Sequence, residues 1–220
     1  MLKHGILMTP DLAEKAHRGD KTVTRRLMKP QPSPEFLARG VVAIVPQWPE
    51  QDGVRWFMAD GLSELIKPRL RPGMIVAIKE THWRWGYKKI KGLSVKNVPV
   101  YAFVAVDSQP IVFELPTLLA KTKTHAGYHK ISSLFLPFDY ARTHVEILDV
   151  RPERLQDIDR EDMKREGCTT EYTNYGACEE IPNSINRQFR ELWDSINGGT
   201  YEWALNPWVW RYSFKRLEKP

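Results

Sequence analysis

The chain has 220 residues, 42% hydrophobic and 27% charged with eight Trp, which excludes a disordered chain and allows a sizeable core within one domain. No apolar run approaches the roughly 20 residues of a membrane span, and the apolar stretch near the N-terminus is too short for a signal peptide. No membrane partner and a cytoplasmic location are therefore expected, while the net charge of +6 fits a polyanionic partner.

In chain order, Gly5 to Met8 reads as an opening strand. Thr9 then caps a helix with Pro10 at its first position and Asp11 near its positive end; Gly19 stops it after Arg18. The segment Lys21 to Met28 follows directly, and Pro30, Pro32 and Pro34 mark an extended connection. Val41 to Val45 and Val54 to Met58 read as strands, as does Met74 to Ile78 after the Arg71-Pro72-Gly73 turn. Val98 to Val106 and Thr143 to Val150 are further strands. Two short helices are expected over Glu153 to Ile158 and Arg160 to Arg165, the second ended by Gly167. Ser184 to Ile196 is the clearest helix, with Ile185, Phe189, Leu192, Trp193 and Ile196 at three- and four-residue intervals. Trp208 to Leu217 closes the chain as a strand, and Trp193, Trp208 and Trp210 are expected to pack the last helix against it. Strands and helices without βαβ alternation predict an α+β fold: a small mixed β-barrel with helices inserted at the rim. It is expected as one domain over 1–220, elaborated near 35–70 and 85–130.

Charge is unevenly distributed. Glu153 to Glu180 holds nine acidic residues against four basic ones, whereas Lys15 to Lys29, Lys79 to Lys96 and Lys121 to Lys130 are basic. The second basic stretch carries Trp83, Arg84, Trp85, Lys88 and Lys89, an interleaving that suits stacking on bases while phosphates are neutralised. A solvated hairpin with its aromatics turned to the core is the alternative. Cys168 and Cys178 lack CxxC spacing and nearby His partners, so both read as thiols; His125 and His129 have no evident third ligand. Neither a metal nor another cofactor is expected.

Lys21 and Thr24 stand three apart, on one face if the segment is a helical turn and on opposite faces if it is a strand. A Lys amine can act as base toward a Thr hydroxyl when burial lowers its pKa, and Arg25 and Arg26 supply planar forks for a phosphate or a base carbonyl. By spacing alone, a solvated basic turn is the simpler reading.

Gly19 to Arg26 resembles the G-x-K-T-x-T-x-R signature of ASCH-domain proteins, which share the PUA-like barrel. Gly73 to His82 is similar to the G-D-x-L-W-V-R-E-T-W strand of that family's phage and prophage branch. Leu136-Pro137 with Ala141-Arg142 resembles its M-P-x-x-A-x-R segment, and Glu153 to Ile158 with Glu166-Gly167 resembles its E-R-L-Q-D-I…E-G. Leu192 to Asn197 and Asn206 to Trp210 resemble its closing motif. The resemblances run in order along nearly the whole chain. They depart at His82, where the family has Trp.

The resemblance implies a barrel-rim pocket for a nucleoside or for RNA or single-stranded nucleic acid. One small bacterial ASCH protein is an N4-acetylcytidine amidohydrolase that uses a Lys, a Thr and a Glu. Carried over, these roles fall on Lys21 as base, Thr24 as nucleophile and Glu166 as the carboxylate for the hydrolytic water. Arg25, Arg26, Glu80 and Arg142 are the implied substrate contacts. A non-catalytic RNA-binding module is the alternative, and RNA cleavage is less favoured because no His pair or acidic metal cluster is evident.

Overall fold

The computed structural model describes residues 4–48, 51, 53–106, 109–114, 126–169 and 184–218. The elements begin with strand β1 (His4–Leu7), helix α1 (Pro10–Arg18), strand β2 (Val23–Leu27), helix α2 (Pro34–Ala38) and strands β3 (Val41–Pro46), β4 (Val54–Met58) and β5 (Ser63–Ile66). Strands β6 (Ile75–Lys79), β7 (His82–Leu93), β8 (Pro99–Ala105), β9 (Gly127–Ile131) and β10 (His144–Arg154) follow. Helices α3 (Arg160–Arg165) and α4 (Ser184–Asn197) precede the last strand, β11 (Trp208–Leu217). The fold is α+β, dominated by strands. No sheet closes on itself, and no helix is long and apolar enough to cross a membrane, among the described residues. The chain divides into two compact units, one of residues 1–14 and 77–142, the other of residues 15–76 and 143–220.

In the larger unit, β10 pairs antiparallel with β11 from His144↔Leu217 to Arg154↔Trp208, and β11 pairs with β2 from Val209↔Leu27 to Ser213↔Val23. Leu27 and Val209 are cross-strand partners and share a face, the one that also carries Arg25 and Arg211, and its Leu27–Val209 end is apolar. It packs into a core with Leu155, Ile158, Met163, Ile185, Phe189 and Trp193 from α3, α4 and their approaches. Each large side chain so buried contributes about 1.5–3 kcal/mol. Trp193 adds an indole N–H bond to the Tyr201 carbonyl at 2.8 Å. A separate sheet, β3-β4-β5, buries Trp56, whose ring meets Trp208 edge-on at 4.7 Å and Phe36 at 5.6 Å. Trp208 thus serves this contact, while Trp193 lies in the helix core.

In the smaller unit, β7 is central to a β8-β7-β9 sheet. Its Gly86 is needed for close approach, because a Cβ there would stand 2.2 Å from the Val104 carbonyl oxygen. Among the described residues, only β8 continues beside β7 beyond Gly86, making a two-stranded ribbon that turns at Ser94 to Val98. Ala77, Leu136 and Ala141 form a small core with Ile111, Phe113 and Phe138 against it.

Several elements differ from the sequence expectation. Pro34–Ala38 is a short helix and not an extended connection, because Ser33 Oγ accepts the Phe36 N–H at 3.1 Å and Pro suits a first turn. The helix expected from Glu153 is the end of β10: pairing with β11 holds the backbone extended to Arg154, leaving only a 3-10 turn at Leu155–Asp157. Strands β5 and β9 have no apolar alternation to read, whereas β7 forms the hairpin that is one of the two readings of its stretch, with Trp83, Trp85 and Tyr87 alternating ahead of a Lys-rich end. His129 lies on β9. His125 and Cys178 lie outside the described residues, and Cys168 is a buried thiol.

Candidate active site

The Lys21 segment is seated by backbone bonds at three places. Gly19 adopts φ 89° after α1, and the Asp20 and Lys21 N–H groups both donate to the Lys15 carbonyl, at 2.9 and 3.2 Å. Thr22 donates its N–H to the Arg165 carbonyl and accepts the N–H of Phe214, each at 2.9 Å. The end of α3 and the last strand thereby both grip the residue next to Lys21.

α3 ends in a Schellman arrangement. Gly167, at φ 95°, donates to the Lys164 carbonyl at 2.8 Å, and Cys168 donates to the Met163 carbonyl at 3.1 Å. Glu166 is the capping residue, so this turn sets where its carboxylate points. Lys21 Nζ donates to Glu166 Oε2 at 2.5 Å and to the Glu166 carbonyl at 2.8 Å. Both side chains are buried. Burial pushes the Lys21 amine below its ordinary pKa, and the Glu166 carboxylate opposes that shift.

Arg25 joins the same cluster from β2. Its guanidinium reaches Glu153 at 2.6 Å, Asp162 at 2.7 Å and Glu166 at 3.3 Å. Arg211, opposite Arg25 across the β11–β2 pair, binds Asp162 through two bonds of 2.5 and 2.8 Å. Lys21, Arg25 and Arg211 therefore face Glu153, Asp162 and Glu166, a formally neutral set. The hydrogen bonds from Arg211, then Arg25, hold the Asp162 carboxyl well below the usual carboxylate range, and burial pushes Glu153 upward.

Thr24 occupies the other face of β2. It is buried and pairs with Tyr212, whose phenol burial pushes up to about 12. Alternation puts Arg26 on this face as well. Burial lowers the Arg26 pKa, and Arg26 feels the Glu166 charge and is felt by Lys21. The segment is thus a strand from Val23 onward, and no hydrogen bond joins the Lys21 amine to the Thr24 hydroxyl among the described residues.

The remaining expected site residues lie in the smaller unit. Arg142 holds both oxygens of Glu80, at 2.7 and 2.9 Å, and reaches Glu14 at 2.8 Å. These bonds raise the Arg142 pKa. His82, where the family has Trp, is buried with Nε2 unpartnered, and burial lowers its pKa. Trp83, Arg84 and Trp85 are half-buried, with Trp85 edge-on to Tyr128 at 5.3 Å; Lys88 and Lys89 are exposed. The aromatics of this stretch thus turn partly inward and its lysines outward.

Asp162, Glu153 and Arg211 were not singled out from sequence as partners of Lys21 and Arg25. One signal was present: Arg211 interrupts Trp208 to Phe214, an otherwise largely apolar strand, and a charge at such a position needs a buried counterion. No family model, curated protein or solved structure matches the chain.

Proposed function

We propose that this chain is an ASCH-type, PUA-like domain that binds a nucleoside or nucleic acid beside Lys21–Arg26 and hydrolyses an N-acylated base such as N4-acetylcytidine. The observation that carries the reading is the buried Lys21–Glu166 pair, in which burial lowers the amine pKa on the segment that also bears Thr24 and Arg26. As a neutral amine, Lys21 spends its two N–H groups on Glu166 and keeps a lone pair for the Thr24 proton. Thr24 Oγ then bonds to the acyl carbon, the C–N bond breaks, and the base amine leaves with that proton. Arg26 steadies the oxyanion, and Glu166 directs the water that cleaves the ester and releases the carboxylic acid. Substrate must bring the amine and the hydroxyl together for this step.

Incubation with N4-acetylcytidine is expected to release cytidine and acetate, with the rate rising as Lys21 deprotonates. Thr24→Ala is expected to lower the rate at least about 100-fold. No turnover across a panel of N-acylated nucleosides would remove the hydrolytic reading.

A second reading is favoured by one specific feature: Glu166 is already engaged by Lys21 and Arg25, as in a purely structural ion network. The protein is then a non-catalytic module for RNA or single-stranded nucleic acid, contacted through Trp83, Arg84, Trp85, Lys88 and Lys89. Anisotropy titrations with RNA, repeated at rising salt, test this; absence of binding at low salt removes it.

A further inference from the structure

The ribbon made by β7 and β8 beyond Gly86 has no described partner strand on either edge. It is well formed: cross-strand pairing runs from Gly86↔Ala105 to Leu93↔Pro99. The tip is fixed by the bonds Ser94 N–H to Val98 O at 2.9 Å and Asn97 N–H to Ser94 O at 2.8 Å, with Asn97 at φ 58°. Residues 87–105 contain four lysines (Lys88, Lys89, Lys91 and Lys96) and no acidic residue. All four are exposed, and none makes an ion pair among the described residues. Between them Ile90, Leu93, Val98, Val100 and Tyr101 are also exposed, and Val95 at the tip is open to solvent on all sides.

We propose that this ribbon is an arm that enters the major groove of B-form double-stranded DNA. Paired strands lie about 4.8 Å apart, and a two-stranded ribbon is a shape that the roughly 12 Å major groove admits. The deep, narrow major groove of duplex RNA excludes it. Seven residues from Tyr87 to Leu93 extend about 23 Å at ~3.3 Å each, well over half of a ~34 Å helical turn. The pairing irregularity between Ile90 and Gly92 sits mid-arm, where a bulge adds the right-handed twist that following a groove requires.

Charge and its placement choose DNA over the other occupants. A second copy of this arm would bring together two surfaces that are basic and lack acidic residues. A lipid interface would call for the cations to be segregated from an apolar face that carries Trp, Phe or Leu anchors. Here the lysines run along the arm and onto the tip itself, where Lys96 stands among Leu93, Val95 and Val98, so cations and apolar groups are not segregated. Rows of phosphates flank a groove along its length, which matches that distribution, and the apolar side chains can meet thymine methyl groups. The inference concerns a different segment and a different ligand from the Lys21 pocket, so either can fail alone; it shares Lys88 and Lys89 with the single-strand reading, from which the duplex and single-strand arms of the test separate it.

The test uses the full chain with a 30-base-pair DNA duplex, the RNA duplex of the same sequence, the single strands, and anionic phosphatidylserine vesicles. Duplex DNA is expected to bind more tightly than duplex RNA or vesicles. Lys91→Gln with Lys96→Gln is expected to weaken it about tenfold and to cut the log–log salt slope by about 2, given about 0.9 per phosphate contact. Leu93→Ser with Val95→Ser is expected to weaken binding with the slope unchanged. Both variants should retain the wild-type melting temperature and any release of cytidine. Equal affinity for duplex RNA, preference for vesicles, or a lysine variant that only self-associates while binding DNA normally would each overturn the proposal. Single-strand binding without duplex binding would also overturn it and favour the single-strand reading of Trp83 to Lys89.

Discussion

At the scale of single residues, the decisive fact is that three cations and three carboxylates, all buried except the half-buried Glu153, share one cluster in the larger unit. A buried charge that loses its partner typically costs about 3–5 kcal/mol, because the survivor stays desolvated. Asp162→Ala should therefore lower the unfolding free energy by that order in urea titrations, by stranding Arg211 and weakening the hold on Arg25. The pH dependence has a definite sign. Folding lowers the Asp162 pKa from 3.8, so its stabilisation is complete above that value and drains away as pH falls below it. Asp162→Asn should flatten the acid limb of the stability curve measured between pH 2 and 6; an unchanged limb would show that other carboxylates set it. Lys21 adds a slope of the same sign in a higher pH range. Its lowered pKa means the unfolded chain holds that proton better, so its contribution improves as pH rises toward 10.5.

At the scale of elements, the sequence was legible where pattern and local chemistry agree. The α4 periodicity and the strand character of Met74 to Ile78, Thr143 to Val150 and Trp208 to Leu217 reappear as α4, β6, β10 and β11. Local chemistry also wrote the end of α3, where Gly167 takes a left-handed φ that an L side chain resists by about 1–2 kcal/mol. Gly167→Ala should lower stability by about that amount in thermal or urea unfolding, and should loosen Glu166 from Lys21 because the cap orients both. Legibility failed where a neighbour overrides local preference. Glu153 and Arg154 stay extended because β11 pairs with them, and β7 is a strand despite Lys88, Lys89 and Lys91 because β8 completes its hydrogen bonds. A Lys-rich strand exposed on both faces has no apolar alternation to read.

At the scale of the whole molecule, the net charge of +6 is not spread evenly between buried and exposed groups. The buried cluster cancels internally, so Lys21, Arg25 and Arg211 add little to the field outside. Exposed lysines on the β7–β8 ribbon supply positive charge that solvent and ligands can reach. Elution from an immobilised polyanion should move to lower salt for Lys88→Gln with Lys89→Gln, and should stay put for a folded Lys21→Met variant. A shift with Lys21→Met instead would mean that the amine is reachable from solvent.

By itself the sequence determined the α+β class, because composition and periodicity are properties of the chain alone, while the candidate segment Lys21 to Arg26 and its distant partner Glu166 came only from the resemblance of its motifs to those of a family. Only the tertiary structure decided that this segment is a strand, that Lys21 meets Glu166 and not Thr24, and that Arg25 belongs with Asp162 and Arg211. Those outcomes depend on pairing between positions up to about 190 residues apart, and on which strand face the α3 cap covers. No local preference encodes them, since a strand's two faces are equivalent until something packs on one.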